Sequence, residues 1–204
     1  MIVVIEPHFD DALLSMGAFL LKCKEPIKII SIFQRKEDVN ETKLIKEFEF
    51  KHIILGGYKD MQYRLFKKRY KFRDVKNKMD FLYEKLEKDL SNNINLDKDI
   101  VFKPLGIGHP VHLLISDMEF SREKNTFYYR DFPHSYKFVK NGFLMSRIKG
   151  LFPKFKLDFV VKDKELIKKK FELFKKYYKS QKALLFFDKR FFDMLPNEEF
   201  YKRI

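Results

Sequence analysis

The feature that most constrains this chain is the alternation at its start. Residues 2–5 (Ile-Val-Val-Ile) are an unbroken apolar run, residues 12–24 are a helix-length segment, and residues 27–33 are a second apolar run. A strand with apolar side chains on both faces has to be covered on both, as happens in a parallel sheet flanked by helices. Strand, helix and strand in this order form a βαβ unit. The pattern continues. Asn40 is placed to cap a helix reaching residue 51, residues 52–55 are apolar enough for a strand, and Gly56-Gly57 ends it. Apolar residues recur at Met79, Leu82, Tyr83, Leu86 and Leu90, which predicts a helix over residues 75–90. Residues 99–103 read as a strand stopped by Pro104 and Gly106. The expected class is α/β, with a mostly parallel sheet and helices on its faces. With 204 residues and no Gly/Ser/Pro-rich linker, one domain over residues 1–204 is expected.

The last third is less regular. Residues 126–129 and 157–161 look like strands. Residues 165–179 form an amphipathic helix with Leu166, Ile167, Phe171, Phe174 and Tyr178 inward and a lysine-rich, solvated opposite face. The single cysteine, Cys23, cannot form an internal disulfide and reads as a core or half-buried thiol, which fits a cytoplasmic setting. The apolar start is too short for a secretory signal or a membrane span. A net charge of +14 suits an anionic partner, and it also suits an A/T-rich coding sequence that favours Lys, Phe, Ile, Asn and Tyr. No recognition helix, zinc-finger spacing or RNA-binding aromatic signature is present, so no specific nucleic-acid partner is expected.

Chemistry is expected where parallel strands end, because functional groups gather in the crevice beyond their carboxyl ends. The first strand runs into Pro7-His8-Phe9-Asp10-Asp11. His8 and Asp11, three apart, can aim at one point from a strand exit and a first helical turn, leaving Asp10 between them. Imidazole nitrogen with carboxylate oxygen suits zinc, although two adjacent acids serve equally well as a helix cap. Directly after the strand at residues 99–103, His109-Pro110-Val111-His112 brings two further imidazoles to the same end of the sheet.

His8-Phe9-Asp10-Asp11 followed by Gly17, together with His109-Pro110-Val111-His112, resembles the LmbE/PIG-L family of zinc-dependent N-acetylglucosamine deacetylases. The signatures of that family are roughly A/P-H-P-D-D-E with G-G, and H-P-D-H. Three further segments resemble it in order and spacing: LGGYKDMQYR at residues 55–64, FYYRDFPHSY at residues 127–136 and KYYKSQ at residues 176–181. The resemblance implies an LmbE-like, Rossmann-like fold. It makes His8, Asp11 and His112 ligands of Zn2+ or another divalent ion, Asp10 the general base, and His109 the group that steadies the oxyanion or protonates the leaving amine. Asp60, Arg64 and Tyr129 become candidates for substrate binding, with His134 near the pocket and Ser180-Gln181 beneath it. The implied substrate is an N-acetylated amino-sugar conjugate, phosphate- or lipid-linked, reached in the cytoplasm or at the inner face of the membrane by peripheral contact. Four positions depart from the pattern: Phe9 stands for proline, Ala12 for glutamate, Ala18 for the second glycine and Val111 for the aspartate of H-P-D-H. A noncatalytic glycan or nucleotide-sugar binding protein on the same fold is the alternative these changes leave open.

Overall fold

The computed structural model describes residues 1–33, 48–56, 58, 80–107, 109–132, 135, 154–177 and 196–204. The chain order is β1 (Ile2–Glu6), α1 (Asp11–Lys22), β2 (Ile27–Ser31), β3 (Lys51–Ile54), α2 (Asp80–Ser91), β4 (Ile100–Pro104), α3 (Pro110–Asp117), a 3-10 turn (Glu123–Asn125), β5 (Thr126–Tyr129), β6 (Phe155–Val161), α4 (Lys164–Tyr177) and β7 (Glu198–Arg203).

The seven strands among the described residues join one sheet in the order β3-β2-β1-β4-β5-β7-β6. The first five pair in parallel, with Ile2 opposite Ile27 and Ile100, while β7 pairs antiparallel to both β5 and β6. The order β3-β2-β1-β4-β5 is that of a Rossmann-like, doubly wound sheet: the chain builds outward from β1 on one side, then restarts at β4 on the other. The point of reversal lies between β1 and β4, and in sheets of this kind functional groups gather beyond the carboxyl ends of those strands.

Strand alternation divides the core. Val3, Ile5, Ile30 and Val101 face α2 and α3, meeting Leu86, Leu90, Val111 and Leu114. Ile2, Val4, Ile27, Ile29 and Phe102 face α1, meeting Ala12, Met16 and Leu20. A third cluster joins α1 to α4 through Leu13, Leu14, Ala18, Ile167, Phe171 and Phe174. Central strands are therefore apolar on both faces, as the run at residues 2–5 predicted. Cys23 is half-buried at the edge of the α1 layer. No helix among the described residues is long and apolar enough to cross a membrane.

Two expectations need correction. Residues 198–203, Glu-Glu-Phe-Tyr-Lys-Arg, form an inner strand that the pattern reading did not identify. The lysines of α4 are not all solvated. Lys164, Lys168, Lys169, Lys175 and Lys176 are exposed, but Lys170 is buried among Ile167, Phe171 and Phe174. Its ammonium donates to Glu198 Oε1 at 2.8 Å and to the Leu14 carbonyl at 3.1 Å. The helix expected from Asn40 to residue 51 falls outside the described residues up to residue 47, and its expected end is not helical: residues 48–50 are turn and loop and Lys51 already begins β3. Gly57 and the start of the helix expected over residues 75–90 also lie outside the described residues.

The partner of that buried ammonium explains the shape of α1. Met16 has non-helical dihedrals (φ −139°, ψ 21°), so the helix is kinked at mid-length. A kink exposes backbone groups that an intact helix would pair. Here Glu198 accepts from the Ala18 and Phe19 N–H groups, each at 2.8 Å, while Lys170 takes the Leu14 carbonyl. Gly17 lies under the lysine stem: a Cβ there would come within 2.6 Å of Lys170 Cγ and 2.9 Å of Leu13 Cδ1.

Candidate metal centre

His8, Asp10 and Asp11 follow β1, and His109 and His112 follow β4, so the point of reversal brings all five to one end of the sheet. Pro110 at the start of α3 is suited to an N-terminal turn, since its missing N–H has no intrahelical partner there. Two residues along, His112 is fully buried. Gly106, with φ +85°, reverses the chain between β4 and α3. A side chain there would meet the Leu113 backbone at 2.9 Å.

The centre converges on a single oxygen. Asp11 Oδ2 accepts the His8 backbone N–H at 2.7 Å and lies 3.2 Å from both His8 Nδ1 and His112 Nε2. One nitrogen from each histidine and one carboxylate oxygen all fall within 4.8 Å of one another, and all three residues are buried. Two imidazoles and one carboxylate, clustered in this way, could hold a metal ion. The donor set fits zinc in its chemistry.

Electrostatics hold the three side chains together. Burial alone would raise the Asp11 pKa, but the His112 charge and hydrogen bonds from His112 and His8 outweigh it, and the carboxyl sits well below its usual range. Burial alone would lower His112; Asp11 and Asp131 overcome it and push the imidazole up to about 10. A proton on His112 therefore stands in for the positive charge that a metal would supply.

Asp10 and His109 flank this cluster. Each is the N-cap residue of its helix, Asp10 of α1 and His109 of α3, and neither uses its side chain to cap. The simple helix-cap reading of the two adjacent acids therefore does not describe Asp10, and Asp11 bonds back to His8. Asp10 is buried and His109 half-buried. The His109 ring lies edge-on to His8 at 5.1 Å between centroids, and 4.7 Å from that of His112.

Tyr129, expected at the substrate pocket, is a core residue. It is fully buried, and its hydroxyl donates to the Ile5 carbonyl at 2.9 Å. Burial, with Asp11 and Asp131 adding to it, pushes its pKa well up. Asp60 and Arg64 lie outside the described residues, as do His134, Ser180 and Gln181.

Two acids absent from the expected site belong to its frame. Asp131 follows β5 and accepts from His112 Nδ1 at 2.6 Å. Its position just past a strand's carboxyl end is the signal that singled out His8, and it lies within the FYYRDFPHSY segment. Glu6 ends β1 and accepts from the Ala12 N–H at 3.1 Å and from the Ser31 hydroxyl. Burial raises its pKa well above the ordinary carboxyl range, against the pull of those two bonds. Ser31 also meets His52 Nε2 at 2.7 Å, and Phe9 packs edge-on against the His52 ring at 5.1 Å. Phe9 thus packs beside the row formed by Glu6, Ser31 and His52. Set against family models, curated proteins and solved structures, the chain matches none.

Proposed function

We propose that this protein is a metal-dependent N-deacetylase, hydrolysing the acetamide of an N-acetylated amino-sugar conjugate of the N-acetylglucosamine type. The observation that carries the reading is the convergence of His8, Asp11 and His112 at the point where the strand order reverses. Motif resemblance adds the reaction class, through Asp10, next to Asp11 in the chain, and His109, whose ring lies against those of His8 and His112.

His8 Nδ1, Asp11 Oδ2 and His112 Nε2 would hold the ion, zinc being the best match to the donors. A bound zinc supplies Lewis acidity, polarising the amide carbonyl and lowering the pKa of a coordinated water towards about 7. Asp10, at the N-terminal end of α1, would take the proton of the attacking water. His109 donates to the developing oxyanion and then to the departing amine. His112, Asp11 and His8 are buried, which keeps bulk water off the ligand side and leaves the half-buried His109 facing substrate.

Substrate is drawn in by charge. The exposed lysines of α4 and the net charge of +14 favour a phosphate-bearing sugar or a glycolipid at an anionic membrane surface. The test is metal analysis of the purified protein beside Asp11→Ala and His112→Ala, followed by a screen of N-acetylhexosamine conjugates for acetate release. Near-stoichiometric zinc lost in both variants, with acetate released only by the metal-loaded wild type, is expected. A wild type that takes up no metal on reconstitution would refute the hydrolase and leave a glycan or nucleotide-sugar binding protein in its place.

A further inference from the structure

His112 is the one ligand that reaches the cluster from the second half of the sheet, and its ring is held from behind. Nδ1 donates to Asp131 Oδ1 at 2.6 Å, while Nε2 points to Asp11. The other oxygen, Asp131 Oδ2, accepts the Ile107 N–H at 2.9 Å. One carboxylate thereby ties the loop after β4 to the helix that begins three residues later. Asp131 itself is fully buried, and its turn is closed by Ser135, whose N–H and hydroxyl both bond the Asp131 carbonyl at 2.8 and 2.6 Å. No solvent reaches this carboxylate, so both of its oxygens act on protein groups.

We propose that Asp131 is the positioning residue of the metal centre: it fixes the protonated nitrogen of His112 at Nδ1 and so presents Nε2 to the ion. This rests on the metal-binding reading above and deepens it. A neutral imidazole can carry its proton on either nitrogen, and only the form protonated at Nδ1 leaves Nε2 a lone pair for a metal. A carboxylate at Nδ1 selects that form, sets the plane of the ring and raises the basicity of the ligand nitrogen. The bond to Ile107 fixes the carboxylate in turn, so the ring is oriented by a chain running from β5 through the β4 loop. Asp131 touches neither the reacting atoms nor the ion.

The experiment measures zinc affinity by chelator competition for the wild type, Asp131→Asn and Ser135→Ala, with 15N-histidine spectra of the zinc-loaded wild type. Asparagine keeps the shape but offers one acceptor to two donors, so a loss of about 10- to 100-fold in zinc affinity is expected. Ser135→Ala disturbs the same turn without removing the carboxylate, and it should bind zinc as the wild type does. In the spectra His112 should be protonated at Nδ1 and metal-bound at Nε2. Wild-type affinity in Asp131→Asn, an equal loss in Ser135→Ala, or a His112 bound through Nδ1 would each overturn the proposal. The wild-type spectrum decides alone should Asp131→Asn not fold. A wild type that binds no zinc at all instead removes the metal reading on which this one stands.

Discussion

Lys170→Met tests the buried clamp that holds α1 in its kinked form. The substitution keeps most of the stem that passes over Gly17, so packing changes little, but it removes the ammonium. Glu198 is then left as a buried charge with its two backbone donors, Ala18 and Phe19, and the Leu14 carbonyl loses its bond. Removing one member of a buried ion pair costs about 3–5 kcal/mol. The retained N–H bonds to Glu198 put the expected loss at the lower end, about 3 kcal/mol. For a chain of this size that is a fall in Tm of roughly 6–12 °C. Glu198→Gln removes the charge from the other side. The double variant should be less damaged than the two single losses added, with a coupling of about 1–3 kcal/mol. Calorimetry or urea unfolding of the four proteins in metal-free buffer gives the cycle, and exposed Lys175→Met is the control, expected within about 0.5 kcal/mol of wild type. A Lys170→Met protein melting within about 2 °C of wild type, or a coupling near zero, would show that the pair is a by-product of packing rather than the support of the kink.

Two further outcomes follow from the site. Because His112 is pushed up to about 10 in the metal-free protein, it is protonated at neutral pH, and metal binding must release that proton. A raised imidazole pKa stabilises the fold fully below its unfolded value of about 6.5, and that contribution is lost as pH rises through about 10. Metal affinity should move oppositely, climbing about tenfold per pH unit across this window. Calorimetry in buffers of different ionisation enthalpy should find close to one proton released per ion, and none released would contradict the pairing described for His112. Gly106→Ala forces a left-handed backbone onto a residue with a side chain and presses it against Leu113, costing about 1–3 kcal/mol. Since α3 carries His112, zinc affinity should fall together with Tm; a variant unchanged in both would mean the turn relaxes freely.

The first half of the sheet was legible because its signals are local. β1, β2, β3 and β4 start and stop within two residues of the expected positions; each is a mostly apolar run, and β1, β3 and β4 are followed within two residues by Pro or Gly. β7 was not legible, because Glu198, Glu199, Lys202 and Arg203 give it the composition of a surface segment. Its place comes from partners far along the chain. Tyr201 pairs with Tyr128 and Leu157, Phe200 stacks on Phe159 at 4.4 Å, and Glu198 is accommodated by Lys170 and the kinked helix. The burial of Lys170 was hidden for the same reason. It falls on the apolar stripe of α4, between Ile167 and Phe171, and only the carboxylate from β7 makes a charge tolerable there.

The site shows the same division between local and remote signals. His8 and Asp11 share one turn and His112 sits at the next strand end, so spacing and strand position suffice to bring them together. The motif departures at Ala12 and Val111, taken alone, suggest a centre that has lost two acids. Val111 is packed in the α3 core, where a carboxylate would be buried among Leu114, Ile115 and Met118. Two carboxylates nevertheless come to the site from the ends of β1 and β5. Glu6 bonds the backbone of Ala12, and Asp131 bonds the ring of His112. Residue type at a motif position reports which side chain starts there, whereas function depends on which atoms arrive, and a parallel sheet delivers atoms from every strand end to one edge. A substitution that places an acid at position 111, as the resembled motif has it, should therefore harm the protein. Val111→Asp places an unpaired charge in the α3 core at a cost of several kcal/mol, and it adds nothing to a His112 already held by Asp131. If that variant kept wild-type stability and bound zinc more tightly, position 111 rather than Asp131 would be where the carboxylate matters.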